Sequence, residues 1–231
     1  MDQKRNIDRL EATSTITVML VDDHALVRAA LRHLLRDAKG IKIVAEASSG
    51  EEAIRVIREV NEVNPDVILM DFDMPGISGL EATQRLHKSL PETKVIIVSS
   101  YTHEVIAFRL LEEGAKGFVA KEASPEEIVK AIKTVKEGNQ YISEELAARL
   151  ASVNVDDPNR GVFNSLSNKE LQMVFMIVKG FRTKEISEKL HLSAKTVSAY
   201  RSSLCNKLGV DNEVELILLA MKHRLVDVEK I

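Results

Sequence analysis

Five short runs of apolar residues punctuate the first half of the chain: TVMLV (17–21), KIVAE (42–46), DVILM (66–70), KVIIVSS (94–100) and GFVA (117–120). Between them apolar residues recur three and four positions apart, the period of a helix with one buried face. Continuously apolar strands alternating with helices predict a parallel sheet covered on both faces. The helix starts are marked by chemistry. Ser49 with Glu52 and Ser124 with Glu127 read as capping boxes, and Pro125 falls at a first helical position, where its missing N–H costs nothing. The expected unit is a small, doubly wound α/β domain with a five-stranded parallel sheet, spanning 15–138 after an N-terminal extension (1–14) in which no function is legible.

The second half has no strand-like run. A helix is expected from Glu144 to about Ala151. The stretch NVDDPNRGVFNS (154–165) is polar, carries Pro and Gly, and reads as a linker, so 139–163 is assigned to a helix and linker. An all-α unit follows over 164–231. Ser167 and Glu170 form its first capping box, Leu166 and Leu171 a hydrophobic staple, and Leu171, Val174, Phe175 and Val178 the buried face. Gly180 ends that helix and Thr183 caps the next, KEISEKL. After the turn His191-Leu192-Ser193, Ser193 caps KTVSAYRSSLCNKLGV, with Leu192 placed to staple to Val197. Two short helices, a tight turn and a longer basic helix describe a helix-turn-helix. The final helix, with ELILLAM (215–221), carries more apolar residues than a small domain needs; completing its own core and meeting a second copy are equally good uses for them.

Composition changes the picture little and charge changes it more. The chain has 231 residues, 45% apolar and 29% charged, long enough for two modest cores. No apolar run reaches the roughly 18 residues of a membrane span, and the charged first residues do not resemble a signal peptide, so a cytoplasmic protein without a membrane segment is expected. Cys205 is the only cysteine and reads as an ordinary helix residue. Residues 1–161 hold 21 Lys/Arg against 27 Asp/Glu, and residues 162–231 hold 11 against 8. The back half is therefore basic, with six cations between Arg182 and Lys207. A fold that aims such a segment at an anion would bind nucleic acid.

In a parallel sheet ligands bind beyond the carboxyl ends of the strands. That rule selects Asp22 and Asp23 after the first strand, Asp71 at the end of the third, Ser99 at the end of the fourth and Lys121 after the fifth. Three converging carboxylates repel unless a divalent metal and the Lys121 ammonium neutralise them, and oxygen-only ligands favour Mg²⁺. The chemistry this suits is phosphoryl transfer to a carboxylate. Asp71 attacks phosphorus, Lys121 neutralises phosphoryl oxygens and Ser99 donates a hydrogen bond to one of them. Taken singly, each residue has a plainer use as a helix cap, a strand-end hydroxyl or a surface charge; their joint placement carries the assignment.

The segments LVDDH, VILMD followed by MPGISGLEA, VSS and GFVAK resemble the receiver domain of two-component response regulators, a flavodoxin-like fold. The resemblance implies that Asp71 is the phosphoacceptor and that Asp23 and Asp71 ligate Mg²⁺ directly. It further implies that Asp22 contributes through water and that the backbone carbonyl of Asp73 completes the protein ligands. Ser99 and Phe118 fall at the positions of the switch hydroxyl and switch aromatic. One rival fits the Asp-x-Asp spacing: haloacid-dehalogenase-type phosphatases, with Asp71 as nucleophile and Asp73 as general acid. Met74 and Pro75 stand where those enzymes usually have Gly-Thr, and the other acidic pair precedes rather than follows. Many receivers have Pro after the lysine; here Glu122 leaves the isomer of the Lys121–Glu122 bond open.

The segments LSNKE, GFRTKEISEKLHLSAKTV and KLGV resemble the LuxR-type output domain of the NarL/FixJ regulators, and KTVSAYRSSL and VELILLAMKHRLVD are similar to the GacA/UvrY group. The resemblance implies a phosphorylation-controlled, non-enzymatic transcription factor with promoter DNA, a sensor histidine kinase or phosphotransfer domain, and a second copy of itself as partners. In that group the output is activation of small regulatory RNA genes. Helix geometry picks Lys195, Thr196, Ser198, Ala199, Arg201 and Ser202 at or near the face turned to DNA, with Arg201 as a bidentate guanine reader. Lys184, Lys195, Tyr200 and Lys207 are expected at phosphates.

Overall fold

The computed structural model describes residues 15–59, 64–100, 104–144, 146–148, 162–163, 165–223 and 225. Strands β1 (Ile16–Val21), β2 (Ile41–Ala47), β3 (Val67–Asp71), β4 (Lys94–Ser99), β5 (Gly117–Ala120) and β6 (Tyr141–Ile142) form one sheet in the order β2-β1-β3-β4-β5-β6. Every pairing is parallel. Helices α1 (Ala25–Arg36), α2 (Gly50–Glu59), α3 (Gly79–Ser89), α4 (Glu104–Glu112) and α5 (Pro125–Lys136) connect the strands.

Because successive side chains of a strand point to opposite faces, β3 divides itself between two cores. Val67 and Leu69 pack with Leu31 and Leu35 of α1 and Ile128, Ile132 and Val135 of α5. Ile68 and Met70 pack with Ile54, Ile57, Leu80, Leu86, Ile106 and Leu110 from α2, α3 and α4. All five residues of β3 are buried, which explains the uninterrupted apolar run. The sheet has six strands rather than the expected five. Tyr141 and Ile142 return beside Gly117 and Phe118 as a two-residue edge strand, too short to leave a periodicity signal. The Tyr141 hydroxyl donates to Glu127 at 3.3 Å.

The helical part comprises α6 (Asn168–Val178), α7 (Thr183–Leu190), α8 (Ala194–Leu208) and α9 (Glu213–Lys222). The Ser167–Glu170 capping box is formed, with Glu170 N donating to Ser167 Oγ and Ser167 N to Glu170 Oε2. The start of α7 differs from expectation. Arg182, not Thr183, is its N-cap; Arg182 N donates to Glu185 Oε2 at 2.7 Å, and Thr183 is already helical. His191, at φ 51°, reverses the chain in the left-handed region between α7 and α8. Ser193 caps α8 by accepting from Thr196 N at 3.0 Å.

Two further readings are corrected here. Phe163, placed in a polar linker, is buried and meets the His223 ring edge-on. Helix α6 buries not one stripe but every residue from Leu171 to Val178. One side of it completes the helical core, and the other lies on the α/β part, where the Phe175 ring meets Phe72 edge-to-face at 6.0 Å. Most of the 154–165 linker, the end of the helix begun at Glu144, and the 1–14 extension lie outside the described residues. Among the described residues no helix is long and apolar enough to cross a membrane.

Candidate functional site: an acidic pocket and a helix-turn-helix

The strand order reverses between β1 and β3, and the acidic residues gather at that switch point. Asp71 is the last residue of β3; Asp22 and Asp23 follow β1, and Lys121 follows β5. Lys121 Nζ lies 2.8 Å from Asp22 Oδ2 and 3.0 Å from Asp71 Oδ2. Asp22 Oδ1 accepts from the backbone N of His24 at 2.8 Å, and Asp73 N donates to Asp71 Oδ1 at 3.3 Å. Asp22 and Asp71 are both almost fully buried.

The loop after Asp71 is shaped by two glycines. A Cβ on Gly79 would meet the Asp71 carbonyl oxygen at 2.1 Å, so only glycine lets α3 begin against the end of β3. Gly76 sits at φ +79°, and the next residue, Ile77, donates its N–H to Glu51 Oε1 at 2.9 Å.

Electrostatics follow from this geometry. Burial, with repulsion from Asp22, pushes the Asp71 carboxyl up to about 6 although Lys121 pulls the other way. Burial works against the Lys121 ammonium, yet Asp71 and Asp22 outweigh it and raise its pKa above the ordinary lysine value. One ligand atom from each of Asp22, Asp23, His24 and Asp71 fits within a 4.8 Å group. Asp23 Oδ1 and Asp71 Oδ2 are buried without a hydrogen bond of good geometry, although His24 Nδ1 and Lys121 Nζ stand close to them. Buried oxygens with spare lone pairs facing one another suit a hard divalent cation. His24 belongs to this group and was not singled out from the sequence; its place directly after the acidic pair was the available signal. Asp73 is outside the group, its carboxylate 3.9 Å from Lys179 of the helical part. Burial lowers the Lys179 pKa, and Asp73 partly offsets that effect.

Ser99 ends β4 fully buried, and its carbonyl accepts from Lys121 N at 2.9 Å. Phe118 is buried in β5 beside Ile97. The Lys121–Glu122 peptide is trans.

In the helix-turn-helix, Lys195, Ser198, Ala199 and Ser202 form an exposed stripe on α8, while Val197 and Leu204 face inward. Thr196 is half-buried beside the Ser193 cap. Lys184 is among the most exposed cations, with 87% of its side chain accessible. Tyr200 is half-buried against the apolar core. Lys207 is drawn to Glu170 Oε2 at 2.9 Å, which ties the end of α8 to the start of α6. Arg201 requires a correction. Its guanidinium is turned inward, paired with Glu213 of α9 and donating to the Phe181 carbonyl at 2.7 Å, so both ends of the fork serve the fold and not a base edge.

A buried acidic pocket with a lysine at the switch point of a parallel sheet, joined to a compact helix-turn-helix, defines a two-part phosphorylation switch with a DNA-binding output. The family models agree part by part: residues 18–133 match the response regulator receiver domain, and residues 164–220 match the bacterial regulatory proteins of the luxR family. The chain is 44% identical to the response regulator UvrY of Escherichia coli K12, over 93% of this chain and 97% of that protein. It is 42% identical to the response regulator GacA of Pseudomonas aeruginosa, over 92% and 98%. A solved structure of Salmonella typhimurium RcsB shares the fold at a TM-score of 0.67 and 24% identity, covering 90% of this chain and 98% of that one. The protein belongs to the two-component response regulators with a LuxR-type output domain, a family of DNA-binding transcriptional regulators and not of enzymes. The phosphatase alternative finds no support in these matches, and the Asp73 carboxylate that it needs as general acid sits beside Lys179.

Proposed function

We propose that Asp71 accepts a phosphoryl group from a sensor histidine kinase or phosphotransfer domain, and that this reaction controls dimerisation and promoter binding. The observation that carries the reading is the convergence of Asp22, Asp23, Asp71 and Lys121 at one switch point, with Lys121 within 3.0 Å of both Asp22 and Asp71. The residues fit Mg²⁺. Asp23 and Asp71 would hold it directly, Asp22 through water, with the Asp73 carbonyl as a further ligand and His24 at the rim. When bound, the ion neutralises phosphoryl oxygens. The chain's own part is to present the Asp71 carboxylate, hold Lys121 charged beside it, and supply the Ser99 hydroxyl to the transferred group. Ser99 and Phe118 then couple the modification to packing.

DNA contact is assigned to the exposed stripe Lys195, Ser198, Ala199 and Ser202, with Thr196 at the helix start. Lys184, Tyr200 and Lys207 flank it toward phosphates, and Arg201 is withdrawn from the set. One recognition helix reads too few base pairs for a genomic site, so two copies on related half-sites are needed. Val214 and Leu218, one turn apart on α9 and 65% and 58% exposed, are the apolar residues offered to a second copy. By likeness to the GacA/UvrY group the target genes are those of small regulatory RNAs, and the place of action is the cytoplasm. Acetyl phosphate with Mg²⁺ should retard wild-type protein and the Asp73→Asn variant on a phosphate-affinity gel. The Asp71→Asn variant should not shift; labelling that survives in it would sink the assignment.

A further inference from the structure

His24 stands at the N-cap of α1 and does not cap it: its side chain makes no capping hydrogen bond, and the first turn carries no acidic residue. Side chains with an oxygen are preferred at such a position because they satisfy a free helix N–H. The imidazole turns back over the acidic pocket instead. Its Nδ1 lies 2.8 Å from Asp23 Oδ1 and 3.3 Å from Asp22 Oδ1, and its backbone N–H, donating to Asp22 Oδ1 at 2.8 Å, pins it there. Ligand atoms that share one ion at about 2.0–2.2 Å stand roughly 3.0–3.4 Å apart when adjacent. The nitrogen is close to that spacing from both carboxylates. Its approach to Asp23 is not a hydrogen bond of good geometry, since Asp23 Oδ1 is buried without one; so is Oδ2 of Asp71, a residue only 2% exposed. Among the described residues no other group of His, Cys, Asp and Glu ligand atoms gathers in this way.

We propose that His24 Nδ1 is itself a metal ligand, which makes the pocket a mixed nitrogen-and-oxygen site able to take a d-block divalent ion such as Zn²⁺ in competition with Mg²⁺. The proposal rests on the acidic pocket being a divalent-metal site. Ligand chemistry separates the two ions. Mg²⁺ is hard and takes oxygen ligands, whereas an imidazole nitrogen suits Zn²⁺. Carboxylates alone strengthen the binding of every divalent cation; a nitrogen placed among them adds selectively to the d-block ion. The side chain of His24 is 60% exposed, so the ring can settle onto an ion, or be replaced, without disturbing the core. A histidine that served only as a charge beside the carboxylates would act on Mg²⁺ and Zn²⁺ alike, because both carry the same charge.

The test is a calorimetric titration of the full-length protein with Zn²⁺ at pH 7.5, alone and against saturating Mg²⁺, which reads only the ions that compete for the pocket. A Mg²⁺ titration supplies the second constant. The ratio of Zn²⁺ to Mg²⁺ affinity should fall by about tenfold or more in His24→Gln, whose amide offers no basic nitrogen, and in His24→Ala. A ratio that does not fall, with both affinities changing by the same factor, overturns the proposal and leaves His24 as a neighbouring charge. A spectroscopic measurement reads the bond directly. In ¹H–¹⁵N spectra of the imidazole rings, Zn²⁺ should displace the Nδ1 resonance that is missing from His24→Gln. If that resonance keeps its metal-free position in the Zn²⁺-saturated protein, His24 is not a ligand. Asp23→Asn should weaken Zn²⁺ and Mg²⁺ together; retention of both affinities there refutes the pocket as a metal site, a failure distinct from that of His24 alone.

Discussion

Replacing Asp71 by asparagine should make the metal-free protein more stable, and the gain should depend on pH in a set direction. The carboxyl is raised from 3.8 to about 6, first by burial and then by Asp22, with Lys121 opposing. Between those two values the folded state binds a proton that the unfolded state has released, so stability falls as pH rises through the window. About two pKa units at about 1.4 kcal/mol each set an upper limit of about 3 kcal/mol lost by pH 7. Asparagine keeps the shape and carries no charge, so it escapes that loss. Because it also leaves Lys121 with one anion fewer, a net gain of about 1–3 kcal/mol is expected, or several degrees at roughly 2–4 °C per kcal/mol for a chain of this size. Thermal unfolding in EDTA at pH 4, 5, 6 and 7.5 reads this directly. The two proteins should unfold together at pH 4, diverge progressively between pH 4 and 6, and differ by a nearly constant amount above that. Added Mg²⁺ should then raise the wild type more than the variant, since binding to the folded state alone adds stability by mass action. A variant no more stable than wild type at pH 7.5, or a gain that does not change with pH, refutes burial as the dominant influence on Asp71.

Four other outcomes follow from particular contacts. Arg201→Ala should lower the unfolding free energy by about 1–3 kcal/mol in calorimetry, by leaving Glu213 and the Phe181 carbonyl unpaired, and should weaken specific and random DNA in the same proportion. Lys195→Ala should leave stability unchanged and reduce the salt slope of binding by about one in gel-shift titrations. Ser99→Ala should still be phosphorylated by acetyl phosphate, but phosphorylation should no longer raise DNA affinity, because the hydroxyl acts on the modified state. Val214→Glu with Leu218→Glu should keep the fold, whose core on that helix is Leu216 and Ala220. It should weaken self-association of the phosphorylated protein by at least a hundredfold in sedimentation, since two exposed apolar side chains bury about 1.5–3 kcal/mol each.

What the chain discloses in its order of residues depends on how local the determining physics is. The runs VILM (67–70) and VIIV (95–98) read correctly as strands because a strand buried on both faces must be apolar at every position, and the capping serines Ser124, Ser167 and Ser193 read correctly because a cap and its partner lie three residues apart. Asp22, Asp71 and Lys121 come from the ends of three different strands, yet are legible because strand ends in a parallel sheet are constrained to one edge. Arg201 shows the limit. Helix periodicity placed it beside the outward stripe, but its long side chain reaches Glu213 twelve residues on and Phe181 twenty residues back, a choice made by tertiary contacts to which periodicity is blind. Helix α6 shows the same limit on a larger scale. The single buried stripe expected from periodicity leaves out Met173, Met176 and Ile177, and the fold buries them as well because two surfaces cover the helix. A helix apolar all round is a helix buried all round. In a small domain whose own core needs one face, that pattern announces a second surface. Gln172, the one polar residue inside that buried stretch, marks where the second surface is held by a hydrogen bond to the Met74 carbonyl, on the loop of the phosphoacceptor.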